Sequence, residues 1–168
     1  IGLAEHARPI DGWNDLDMLQ VALGGMSFVE YRAQLTMWAM RSAPLIISCD
    51  PRDLDAQELE MLTNADLIAI DQDPTGAPPT RRRIDGVHVW TKPTQGGWAV
   101  AVINDGDVPQ RFEVVWESLG LPAPISTRIV WADAATADEQ GSRGVLSAHD
   151  CALVIARPGM ADDVSLRP

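Results

Sequence analysis

The apolar residues change their period near residue 80, and that change limits the folds open to the chain. Before it, Phe28, Tyr31, Leu35 and Trp38 recur at helical spacing. Ser27-Phe28-Val29-Glu30 has the form of a capping box, so a helix is expected from about Phe28 to Arg41, stopped by Ser42-Ala43-Pro44. Asp55 and Glu58 form a second cap, and Asn64-Ala65-Asp66 divides the following stripe into two short helices. Between them, Leu45-Ile46-Ile47-Ser48-Cys49 is bounded by Pro44 and Asp50-Pro51. It reads as a strand buried on both faces, the kind found in parallel sheets. Strand and helix alternate, which is βα grammar.

After residue 80 the period is two. Val87–Thr91, Trp98–Ile103, Phe112–Trp116, Arg128–Trp131 and Ala152–Ala156 are short alternating segments. Gln95-Gly96-Gly97 separates the first two as a hairpin loop, and Asn104-Asp105-Gly106 is a turn signal. These are the strands of an antiparallel sheet or sandwich. Asp73-Pro74-Thr75-Gly76-Ala77-Pro78-Pro79 is the linker. The fold class expected is therefore α/β plus all-β. Residues 1–79 are a βα unit, 80–158 an antiparallel β domain, and 159–168 a tail. Only one clear βα unit is present, and its strand edges need cover from another segment.

With 168 residues the chain is too short for a complete (β/α)₈ barrel, which takes about 250. A net charge of −11 argues against nucleic acid and anionic membrane surfaces. No run approaches the roughly 20 apolar residues of a membrane span. The chain opens on Ile1 with no basic-then-apolar leader, as a fragment or processed form would. Cys49 and Cys151 are too few for a disulfide scaffold and are expected as buried thiols. They fit a cytoplasmic bacterial enzyme and do not exclude a secreted one. His6, His88 and His149 show no metal-ligand spacing, so neither a metal nor another cofactor is expected.

The densest polar cluster is Gly12-Trp13-Asn14-Asp15-Leu16-Asp17-Met18. An indole beside two carboxylates suits a sugar: the ring covers the C–H face and the carboxylates accept from hydroxyls. A local reading of the same residues is that Asn14 or Asp15 caps a short helical segment, Asp17–Leu23. His149-Asp150-Cys151 is expected as a turn before the last strand, and Arg81-Arg82-Arg83 as a solvated face. Met37, Trp38 and Met40 read as core.

Gly-Trp-Asn-Asp-Leu-Asp-Met-Leu at 12–19 closely resembles the G-W-N-D-P-D-M-L motif of the α-galactosidases (melibiases) of glycoside hydrolase family 27. Further segments resemble that family in order. Glu30-Tyr31 with Trp38-Ala39 is similar to its next helix, and Ala43–Asp50 to its final barrel strand. Ile68-Ala69-Ile70-Asp71-Gln72-Asp73-Pro74 with Gly76 resembles its I-A-x-N-Q-D-P-x-G segment. Val89-Trp90, Trp98–Ala101 and Asn104 resemble the opening of its β domain, and Ala148–Cys151 the start of its last strands. The resemblance implies the C-terminal end of a (β/α)₈ TIM barrel followed by a β-sandwich. It also implies a retaining hydrolase with two aspartates about 5–5.5 Å apart, acting on terminal α-linked galactose. In the family both aspartates precede the matched segment, the nucleophile in a K-Y-D motif that this sequence lacks. The resemblance therefore places no catalytic residue here. It implies substrate-pocket roles for Asp17 and Met18, and structural support from Asp15 and Trp13. Leu16 stands where the family has Pro, and Asp11 where it has Gly.

Two further readings compete. A carbohydrate-binding module would expose Trp90, Trp98, Trp116 or Trp131, and a structural module would buttress a partner. Each of those indoles sits in an alternating apolar run and reads as core; their exposure would separate the carbohydrate-binding reading from the other two.

Overall fold

The computed structural model describes residues 12–122 and 125–159, without the side chain of Ile125. Three helices come first: α1 (Phe28–Met40), α2 (Ala56–Leu62) and α3 (Ala65–Asp71). Their starts follow the capping chemistry. Ser27 N and Oγ both donate to Glu30 Oε2, at 2.7 and 2.8 Å. Asp55 and Glu58 exchange backbone-to-carboxylate bonds of 3.0 and 2.8 Å. Asn64 Oδ1 accepts from the backbone of Asp66 and Leu67, which starts α3.

Eight strands follow: β1 (Thr80–Ile84), β2 (Val87–Thr94), β3 (Gly97–Ile103), β4 (Gln110–Val115), β5 (Ile125–Trp131), β6 (Ala135–Ala137), β7 (Gly141–Leu146) and β8 (Cys151–Pro158). They form a five-stranded sheet in the order β1-β2-β3-β8-β5 and a three-stranded sheet in the order β4-β7-β6. Each strand pairing is antiparallel. Gln95-Gly96 makes the β2–β3 hairpin, with Thr94 opposite Gly97. Gly97 has φ +141°, and a Cβ there would collide with the Ala156 carbonyl on β8.

Three of these strands depart from the period-2 expectation. β1 consists largely of Arg81-Arg82-Arg83, an exposed charged edge of the kind that blunts edge pairing. β6 and β7 are rich in Ala, Ser and Gly, weak strand formers. Gly144 has the room-saving role there: it lies opposite both Phe112 and Ala135, and a Cβ would meet the Ala135 backbone.

The five-stranded sheet is the middle of three layers. On β3 and β8, Ala99, Ala101, Ile103, Cys151 and Leu153 face the helices and share a core with Leu19, Leu35, Met40, Leu67 and Ile70. The alternate residues Val100, Val102, Ala152, Val154 and Ala156 face the second sheet and pack with Phe112, Val114 and Trp116.

Two buried polar ties join helices to sheet. Arg32 of α1 makes a bidentate pair with Asp133, 2.9 Å for each bond, and donates to Asp150 at 2.6 Å. Burial opposes its charge, but the two carboxylates hold its pKa above the ordinary value. Lys92 of β2 is fully buried and donates to Ala39 O, Ser42 Oγ and Ile70 O at 3.0, 2.7 and 2.5 Å. Burial pulls its pKa down to about 8, against the attraction of Asp71 and Asp73.

The Leu45–Cys49 run does not form the strand buried on both faces that its composition suggests. It makes one parallel bridge, Leu19 to Ile47, and Ile46 and Ile47 are 47 % and 37 % exposed. A parallel strand is buried only when neighbours flank it and helices cover it. Cys49 and Cys151 are free thiols; Cys151 is buried, and burial pushes its pKa up to about 12.

Candidate functional site

Loop 12–19 carries the polar cluster, and short local bonds shape it. Asp15 Oδ1 accepts from Asp17 N at 2.8 Å, and Asp17 Oδ1 accepts from Met18 N at 2.7 Å. Asp17 has φ +70°, in the left-handed region that non-glycine residues seldom occupy. Two residues on, Leu19 N donates to Ile46 O at 2.8 Å, and Ser48 Oγ donates to Leu19 O.

That anchoring overturns the expected helix at Asp17–Leu23. Leu19 is drawn into a parallel bridge, and turns follow it. Asp15 supports the loop backbone and caps no helix.

The structure brings Asp15, Asp17 and Met18 together on one exposed loop, with Met18 40 % exposed. Trp13 goes elsewhere. It is 44 % exposed and lines a cavity of about 410 Å³ with Ser42, Pro44, Asp71, Gln72 and Asp73, which neither Asp17 nor Met18 reaches. Asp71 is buried, its Oδ1 has no hydrogen-bond partner, and burial pushes its pKa up to about 6 despite nearby Lys92.

Trp38 belongs to the loop as well as to the core. Its Nε1 donates to the Asp17 carbonyl at 3.0 Å while the ring packs on the helix–sheet core. Helical spacing shows the packing face but not the polar atom at its edge.

The remaining motifs are structural. Asp150 is buried against Arg32, and His149 stands in a left-handed turn before β8. Arg81 lies over the Trp90 ring at 5.6 Å. Trp90 and Trp116 are buried and Trp98 and Trp131 half-buried, so the sandwich lacks the exposed indoles a carbohydrate-binding module needs. Among the described residues no group of three or more His, Cys, Asp or Glu is placed to hold a metal ion. No helix there is long and apolar enough to cross a membrane.

A parallel strand bridge with helices beside it, joined to an antiparallel sandwich, fits the end of an α/β barrel followed by a β domain. Residues 3–73 match the family model described as alpha galactosidase A, and residues 84–156 match the alpha galactosidase C-terminal beta sandwich domain. Alpha-galactosidase 3 of Arabidopsis thaliana is 36 % identical over 164 residues, covering 92 % of this chain and 37 % of that protein. Alpha-galactosidase A of Homo sapiens is 39 % identical over 113 residues, 65 % of this chain and 26 % of the relative. The crystal structure of alpha-galactosidase I from Mortierella vinacea superposes with a TM-score of 0.77 at 27 % identity, over 91 % of this chain and 41 % of that one. A family 27 β-L-arabinopyranosidase from Geobacillus stearothermophilus shares the fold, with a TM-score of 0.77 at 24 % identity over 97 % and 40 % of the two chains.

The chain belongs to the α-galactosidase (melibiase) family, glycoside hydrolase family 27, and has the fold of the barrel's C-terminal end followed by the β-sandwich. It spans little more than a third of the length of the curated relatives.

Proposed function

We propose that the chain is the C-terminal third of a retaining glycosidase that releases terminal α-linked galactose. Residues 1–79 complete the barrel and 80–158 are the sandwich that buttresses it; residues 160–168, expected as a tail, lie outside the described residues. The nucleophile and the acid/base lie outside this segment. Its contribution to the pocket is Asp17 and Met18, with Asp15 supporting their loop.

The observation that carries this reading is the Asp17 loop. Its backbone is pinned beside a parallel bridge, and its carboxylate is exposed with no Lys or Arg within four residues. Barrel active sites lie where such strands end. A carboxylate there accepts hydrogen bonds from sugar hydroxyls, each charge-assisted bond being worth roughly 1.5–3 kcal/mol. In the complete polypeptide, Asp17→Asn keeps the shape and removes the charge. The expected result is a fall in kcat/KM of about ten- to a hundredfold with little change in melting temperature. Unchanged kinetics with a lowered melting temperature would reduce Asp17 to a loop-shaping residue.

A further inference from the structure

Asp17 holds a backbone conformation that a residue with a Cβ adopts only when its surroundings impose it. Both of its backbone polar groups are occupied. The N–H goes to Asp15 Oδ1 within the loop, at 2.8 Å. The carbonyl accepts a bond from outside the loop, 3.0 Å from Trp38 Nε1.

The donor is itself fixed. Trp38 sits in the last turn of α1, its ring against the core shared by helices and sheet. Its own carbonyl accepts from Arg41 N and Ala43 N, at 3.0 and 3.1 Å. The chain then turns through Pro44 to Ile46, whose carbonyl accepts from Leu19 N. The loop is thus held at two points two residues apart, by the Trp38 indole at Asp17 and by Ile46 at Leu19. With both ends of that short span fixed to α1 and the segment after it, the Cα–Cβ direction of Asp17 is set, and the bond from Met18 N to Oδ1 holds its carboxylate.

We propose that Trp38 is a positioning residue for Asp17: its indole N–H holds the Asp17 carbonyl and so keeps the carboxylate presented outward. This rests on the reading of Asp17 as a substrate contact. Trp38 touches no sugar in this account; it acts through the loop backbone.

The test is a double-mutant cycle on the complete polypeptide with an aryl α-galactoside. Trp38→Phe keeps most of the ring and removes the donor. It should lower kcat/KM about three- to tenfold, the effect of one neutral hydrogen bond. In the Asp17→Asn background the same substitution should have almost no further effect, because the indole still holds the residue 17 carbonyl but the carboxylate it positions is gone. Site-specific replacement of Trp38 by β-(3-benzothienyl)alanine keeps the bicyclic ring without the N–H, and should reproduce the loss even if Trp38→Phe folds poorly. Wild-type kinetics in the benzothienyl variant, or effects that multiply independently in the cycle, would overturn the proposal. If Asp17→Asn alone leaves kcat/KM unchanged, the reading of Asp17 fails first.

Discussion

Two apolar strand sequences in this chain meet different fates. Ala152–Ala156 of β8 and Leu45–Cys49 are both short, largely apolar runs. β8 lies between β3 and β5, covered by helices on one face and the second sheet on the other. Leu45–Cys49 has one bridge and exposes Ile46 and Ile47. Composition states what a segment can bury; the neighbours decide whether it does. The sandwich half brings its own neighbours. The barrel half takes cover from the sandwich on one side and, in the proposed whole protein, from further barrel strands on the other.

If the helices depend on the sandwich for cover, the polar ties between them should matter most. Arg32→Met leaves buried Asp150 as an uncompensated charge, and should lower unfolding free energy in urea by about 3–5 kcal/mol. Asp133 is 67 % exposed on its side chain, so Asp133→Asn should cost less than about 1 kcal/mol. Equal effects from the two substitutions would show that burial does not separate these partners.

A smaller, pH-dependent effect belongs to Asp71, where the resembled family segment has Asn. Burial raises its folded-state pKa from 3.8 to about 6. The folded state therefore holds the proton more tightly than the unfolded one. The stability linked to it is fully present below about pH 3.8 and is lost as pH rises through about 6. Between pH 5 and 7.5 the wild-type chain should lose on the order of 1–2 kcal/mol relative to Asp71→Asn, which has no proton to lose. Urea unfolding of both proteins at the two pH values measures this, and parallel pH profiles would remove Asp71 as the source.

The change from helices to antiparallel strands near residue 80 was legible from the sequence, as were the caps of α1 and α2, the break before α3 and, among the described residues, five of the eight strands. Those signals are local: a carboxylate three residues past a cap, or alternation over five residues. β1, β6 and β7 were not legible, because arginines and small residues form strands there only through their partners. Arg32 and Lys92 gave no signal either. Their acceptors lie 101 and 118 residues away in one case, and 53, 50 and 22 in the other. At the site, the motif marked Asp15, Asp17 and Met18, but spacing alone suggested a helix after Asp17. The bridge from Leu19 to Ile47, a contact across 28 positions, excludes it. Trp13 was grouped with Asp17 by adjacency, and the loop turns it into a cavity that Asp17 does not line.

In the proposed glycosidase this segment furnishes part of the sugar pocket and none of the bond-breaking carboxylates. Hydrolysis of an aryl α-galactoside by the purified 168-residue chain, set beside the complete polypeptide, tests it most directly. The isolated chain should show no turnover above background, while the complete polypeptide should release galactose with its anomeric configuration retained. Turnover by the isolated chain that disappears on Asp17→Ala would contradict the account.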